Sequence, residues 1–231
     1  MRDYVRVQEL RDASIALNSP DSYFTADDDK LTAPHKQAFF QAIEQDLAGL
    51  DESAWEALKE EALPRLSATI PDRGWEQFFS ILNQARGYNF LAARGYSNIE
   101  FIPRTKSKTP DLKAMSGDET VLCEVKTIHI SQDEVNRRLV GGVIDGVPNI
   151  SPEFVTKLHR VINEAKTQME SFDSDLHTKY IAYLVINFDD ILHECASQYE
   201  IQIRENLSRN PTEGVEVILD IKPPYYSAIR L

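Results

Sequence analysis

Thr109-Pro110-Asp111-Leu112-Lys113-Ala114-Met115-Ser116-Gly117-Asp118-Glu119-Thr120-Val121-Leu122-Cys123-Glu124-Val125-Lys126 is the stretch on which the fold turns. At its centre, Ser116-Gly117-Asp118-Glu119 offers glycine as the first central residue of a two-residue loop, the preference of a type II′ hairpin. Residues 108–115 and 120–128 flank that turn and read as antiparallel strands. Counting outward from Gly117-Asp118 sets Asp111 directly opposite Glu124. Side chains so placed share a face of the sheet, with Cβ atoms roughly 4.5–5.5 Å apart. Lys126 follows Glu124 by two residues, and the strand period returns it to that same face. Leu112, Ala114, Val121, Cys123 and Val125 alternate onto the other face, which is apolar throughout and suited to a core. The hairpin therefore predicts one greasy face and one that gathers two carboxylates and an amine.

Upstream, residues 98–103 (Asn-Ile-Glu-Phe-Ile-Pro) read as a short strand, with Gly95 as the stop of the helix before it. In that helix Trp75, Phe78, Phe79, Leu82, Ala85 and Phe90 recur at helical spacing as far as Ala93, and Asp72 serves as N-cap. The first 70 residues read as helical: a helix over 4–17, a break at Asn18-Ser19-Pro20-Asp21, then a helical hairpin over 34–50 and 52–66. Downstream, residues 131–152 form a long connection containing Gly141, Gly142, Gly146, Pro148 and Pro152, a length at which loops tend to have functions of their own. Phe154, Leu158, Val161, Ile162, Ala165, Met169 and Phe172 then mark one face of an amphipathic helix. Residues 179–188 are almost wholly apolar, the pattern of a strand buried on both faces. A helix over 192–207 and a strand over 214–221 complete the pattern. From Pro71 the order is helix, three strands, helix, strand, helix, strand. Crossovers after a hairpin predict an α/β domain with a mixed sheet and helices on both sides, spanning 71–231 and preceded by a helical segment at 1–70.

At 231 residues and 42% hydrophobic content, the chain suffices for a sizeable core. No run approaches the roughly 18 consecutive apolar residues of a membrane span. Met1-Arg2-Asp3-Tyr4 does not open a secretory signal. Two cysteines, Cys123 and Cys195, make no disulfide framework, so a reducing cytoplasm is the expected setting. The net charge of −12 argues against a nucleic-acid partner. Its distribution weakens that objection, because residues 1–62 hold 14 acids against 6 bases. Around the motif the sign reverses: Arg104, Lys106, Lys108 and Lys113 stand against Asp111 alone. The five histidines fall at no metal-ligand spacing with the cysteines, and neither a nucleophile elbow nor a phosphate loop is present.

Asp111 and Glu124 supply hard oxygen ligands of the kind that suit Mg²⁺ or Mn²⁺. Two acids facing each other on a plain surface repel, and a cation between them removes that penalty. Pro110-Asp111, a twelve-residue gap and Glu124-Val125-Lys126 together resemble the signature of the PD-(D/E)xK nuclease superfamily, over residues 71–221. The resemblance implies a restriction-endonuclease-like core, a central mixed sheet flanked by helices, and metal-dependent hydrolysis of phosphodiester bonds, foremost in DNA. It implies Asp111, Glu124 and the backbone carbonyl of Val125 as metal ligands, and Lys126 to orient or deprotonate the attacking water. A further acid on the first core helix falls to Glu76, with Glu100 on the first strand as its rival. A polar residue on the helix after the motif falls to Gln168 or Lys166. Arg104, Lys106, Lys108, Arg137 and Arg138 are the candidates for phosphate contacts, which position a substrate without reading its sequence. Paired cuts in duplex DNA would imply a homodimer. A second reading stays open: a catalytically inactive module on the same scaffold that binds nucleic acid or protein, with the acidic N-terminal helices as the docking surface for a basic protein partner.

Overall fold

The computed structural model describes residues 4–19, 22–24, 31–32, 36–66, 75–105, 108–130, 149–175, 177–188 and 195–223. They fall into two compact units, one drawn from residues up to Phe90 and one spanning Leu91–Pro224.

The first unit is helical. It holds α1 (Val5–Ala16), α2 (Gln37–Ala48), α3 (Glu52–Ala62) with a 3₁₀ turn (Leu63–Arg65), α4 (Glu76–Leu82) and most of α5 (Gln84–Ala93). Asp51 starts α3 by accepting the Ala54 N–H at 2.8 Å, a cap of the type that stabilises by about 1 kcal/mol. Arg86 Nη1 lies 2.8 Å from both carboxylate oxygens of Asp46, tying α5 to α2. Leu10, Phe40, Leu47, Trp55, Leu58, Phe78 and Phe79 are buried in this unit. The one helix expected up to Ala93 is two helices that meet at Asn83. There the Arg86 N–H bonds the Asn83 carbonyl three residues back, at 3.0 Å, and this tightening separates α4 from α5. Asp72, the expected N-cap, lies outside the described residues.

The second unit is built on one mixed sheet. Its strands are β1 (Ser97–Phe101), β2 (Leu112–Ser116), β3 (Glu119–Ile128), β4 (Lys179–Ile186) and β5 (Glu216–Ile221), side by side in chain order. The first two pairings are antiparallel and the last two parallel. Helix α6 (Pro152–Phe172) stands between β3 and β4 in the chain, and α7 (Ala196–Arg209) between β4 and β5. Ser151 begins α6 by accepting the Phe154 N–H at 3.1 Å, with Pro152 in the first helical position where its missing N–H is harmless.

The hairpin register is the one the turn dictates. Ser116 faces Glu119, Met115 faces Thr120 and Leu112 faces Cys123. Gly117 has φ +62° while Asp118 has no positive φ, which selects a type II′ turn over type I′.

Leu158, Val161, Ile162, Ala165 and Met169 of α6, with Tyr199 and Ile203 of α7, pack on Leu122, Ile128, Ala182, Leu184 and Ile186. Both crossover helices share this face, since successive parallel strands added in one direction with one hand place their helices on one side. Val121, Cys123, Val125, Ile181, Tyr183 and Val185 on the opposite face are buried as well. The face that carries the acids is thus no open polar surface: Leu122 is fully buried and Glu124 is 2% exposed. Among the described residues no helix is long and apolar enough to cross a membrane.

A Cβ built on Gly117 meets no atom within 4 Å, so substitution there is opposed by backbone conformation alone. Gly117→Ala is expected to lower stability by roughly 1–2 kcal/mol in urea unfolding, with an unchanged far-ultraviolet spectrum. A neutral substitution would mean that the turn is not of the II′ type.

Candidate active site

The turn at Gly117 sets the register that aims the site. One pair beyond Leu112 and Cys123 the register sets Asp111 beside Glu124, and the next sets Pro110 against Val125. Proline has no N–H to give to a ladder. The Val125 N–H goes to the Asp111 carboxylate, with Oδ2 at 2.8 Å. Glu124 Oε2 in turn accepts the Asp111 N–H at 3.1 Å. Each acid therefore caps the backbone of the other's strand. Pro110 likewise has no N–H with which to meet the Val125 carbonyl.

Lys126 Nζ lies 2.5 Å from Glu124 Oε1 and also donates to Gln168 Oε1 at 3.2 Å. Gln168, on α6, donates through Nε2 to the Thr109 carbonyl at 2.6 Å. One glutamine thus ties the lysine to the residue before Pro110, its oxygen turned to the ammonium and its NH₂ to the carbonyl. Arg104 Nη2 stands 3.9 Å from Asp111 Oδ1. The neighbours of the trio on β4 are apolar: Ala182 beside Glu124 and Leu184 beside Lys126.

Burial decides the electrostatics. The side chains of Asp111, Glu124 and Lys126 are 9%, 3% and 27% exposed. Loss of water, followed by the Glu124 charge, holds the Asp111 carboxyl well above the usual carboxylate range, against the Val125 N–H, Lys126 and Arg104. Burial raises Glu124 too, but Lys126 draws it back. Cys123, on the opposite face of β3, is pushed up first by burial and then by the two acids. The site is short of positive charge.

That shortage, with two carboxylates side by side, fits a hard divalent cation such as Mg²⁺ or Mn²⁺. Among the described residues no group of three His, Cys, Asp or Glu side chains gathers to hold a metal.

Not every residue expected at the site is there. Gln168 occupies the place on α6, whereas Lys166 pairs with Glu170 at 3.6 Å and lines a separate cleft with His159 and Asn206. Two residues turn a helix by about 200°, so only one of the two can face Lys126. Glu100 is exposed and pairs across the strands with Lys113, one row from Asp111 on the same face. Glu76 lies in the first turn of α4 and is buried rather than an exposed first-turn acid. Lys108 is exposed, and Lys106, Arg137 and Arg138 lie outside the described residues. Two contacts had no sequence signal: the Thr109 carbonyl, because any residue has one, and the approach of Arg104 to Asp111. Comparison of the chain with known protein families, with curated proteins and with solved structures finds no match.

A carboxyl raised on folding stabilises the fold when protonated, and that contribution is lost as pH rises through its folded value. Metal-free protein is therefore expected to lose stability from the ordinary carboxylate range upward toward neutral pH. Asp111→Asn keeps an oxygen for the Val125 N–H and removes the charge. It should flatten that slope and raise the neutral-pH melting temperature by a few degrees, as read by calorimetry in EDTA. Equal slopes for the two proteins would contradict the electrostatic account.

Proposed function

We propose that this chain is a metal-dependent nuclease of the PD-(D/E)xK type, with a restriction-endonuclease-like core, that hydrolyses phosphodiester bonds in nucleic acid, DNA foremost. The observation that carries the reading is the pairing of Asp111 and Glu124 as adjacent buried carboxylates, with Lys126 on the same face of the same strand. Asp111, Glu124 and the Val125 carbonyl would hold Mg²⁺ or Mn²⁺. Bound there, the cation would offset charge on the scissile phosphate and lower the pKa of a coordinated water. Lys126 offers an N–H donor to the attacking water or to the charge that grows on phosphorus in the transition state. Gln168 positions Lys126 by holding its ammonium toward the acids. The Thr109–Gln168 bond fixes the approach of Pro110 to α6. Arg104, half exposed beside Asp111, is placed to meet a phosphate oxygen at the mouth of the site.

A second reading, the inactive module that binds nucleic acid or protein, draws support from the acidic N-terminal segment, where residues 1–62 hold 14 acids against 6 bases. Incubation with duplex, single-stranded and branched DNA and with RNA, in Mg²⁺ or Mn²⁺, separates the two. The nuclease reading expects 5′-phosphate ends and more than about 100-fold loss of cleavage in Asp111→Ala, Glu124→Gln and Lys126→Ala, as for other removals of a transition-state contact. Gln168→Ala should slow cleavage by about 10-fold, the equivalent of one neutral hydrogen bond at roughly 1 kcal/mol or slightly more. Cleavage that survives Asp111→Ala, or no cleavage of any substrate, would overturn it.

A further inference from the structure

A groove of about 710 Å³ opens between α6 and Lys108, lined by Arg160, Asn163, Glu164, Thr167, Gln168, Ser171 and Phe172. Gln168 is shared with the candidate active site, where it contacts Lys126 and the Thr109 carbonyl. The groove therefore adjoins the reactive end of that site. Phe172 is the last residue of α6, one helical turn beyond Gln168 on the same face and about 6 Å further along the axis. It is 44% exposed, and it is the one exposed aromatic side chain among the described residues.

We propose that this groove takes an unpaired nucleic-acid strand next to the scissile phosphate, and that Phe172 stacks on one of its bases. The inference rests on the nuclease reading and narrows its substrate class to single strands, or to duplexes with an unpaired end or flap. A base inside a duplex has both faces covered by its neighbours, so a fixed ring on a helix reaches only a base that has left the stack. The rest of the lining suits a strand's backbone. Lys108 and Arg160 bring positive charge against the one acid, Glu164, and Asn163 and Thr167 bring hydrogen-bonding groups. Arg160 already pairs with Glu164 at 2.6 Å, and the chain carries a net charge of −12. Counterion release is thus a weak source of affinity here, and stacking carries a correspondingly larger share.

The test is fluorescence anisotropy in EDTA, where no cleavage intervenes, with labelled single-stranded DNA, single-stranded RNA and blunt duplex DNA as probes. Wild-type protein should bind a single strand more tightly than duplex, and the two single-stranded arms identify the sugar. Phe172→Ala should weaken single-strand binding roughly 5- to 100-fold and leave duplex binding unchanged, whereas Phe172→Trp should retain it. Matching unfolding midpoints for the variants confirm that the fold is intact. Preferential binding of duplex, or a Phe172→Ala variant that binds single strands as wild type does, overturns the proposal. The two readings fail separately. Single-strand binding that depends on Phe172 in a protein that cleaves nothing sinks the nuclease reading and supports this one. Cleavage that needs Asp111 but is indifferent to Phe172→Ala on every substrate does the reverse.

Discussion

A reciprocal pair of side-chain bonds to the backbone organises the second unit's site. Pro110, opposite Val125, has no N–H to give the ladder, and Asp111 Oδ2 takes the Val125 N–H at 2.8 Å. That bond draws a charged side chain down onto the sheet, next to Glu124, which answers by accepting the Asp111 N–H. Gln168 completes the arrangement by bracing α6 against Thr109 and Lys126 together. Strand end, helix and lysine are thus set by one short hydrogen-bond chain.

The arrangement is electrostatically uncomfortable, and the surrounding core makes it persist. Leu122, Ile128, Ala182 and Leu184, packed under α6, keep water from the acids and hold their carboxyls above the usual range. Lys126 and a more distant Arg104 offset them in part. Local strain of this kind, held by a core that over-determines it, is a feature of functional sites. A surface ion-pair ladder would leave the same three residues solvated, and their depth under α6 sets them apart from one.

Much of this was legible in the sequence because the turn is so specific. Gly117 as the first central residue fixes a type II′ loop, the loop fixes the register, and the register places Asp111 opposite Glu124 with Lys126 alongside. The apolar run of β4 and the amphipathic pattern of α6 gave the crossover in the same way. Other features were not legible. Alternation along β3 suggests a polar face, but α6 buries it, since periodicity reports which residues share a face and not what covers that face. Lys166 and Gln168 are equally polar in sequence, and only the rotation of α6 about its axis separates them. The break at Asn83 depends on a local tightening of the backbone that hydrophobic spacing does not register. The contact units divide at Phe90 and Leu91, so α4 falls with the N-terminal helices although its spacing runs on into α5.

The central claim is that Asp111 and Glu124 form a cation site whose carboxyls burial holds above their ordinary range. Isothermal titration of metal-free protein with Mn²⁺, at mildly acidic pH and in two buffers of different ionisation enthalpy, measures both the binding and the protons displaced. The account predicts one Mn²⁺ per chain, release of protons on binding, and loss of both signals in Asp111→Asn. Absence of Mn²⁺ binding, or undiminished binding by Asp111→Asn, would contradict it.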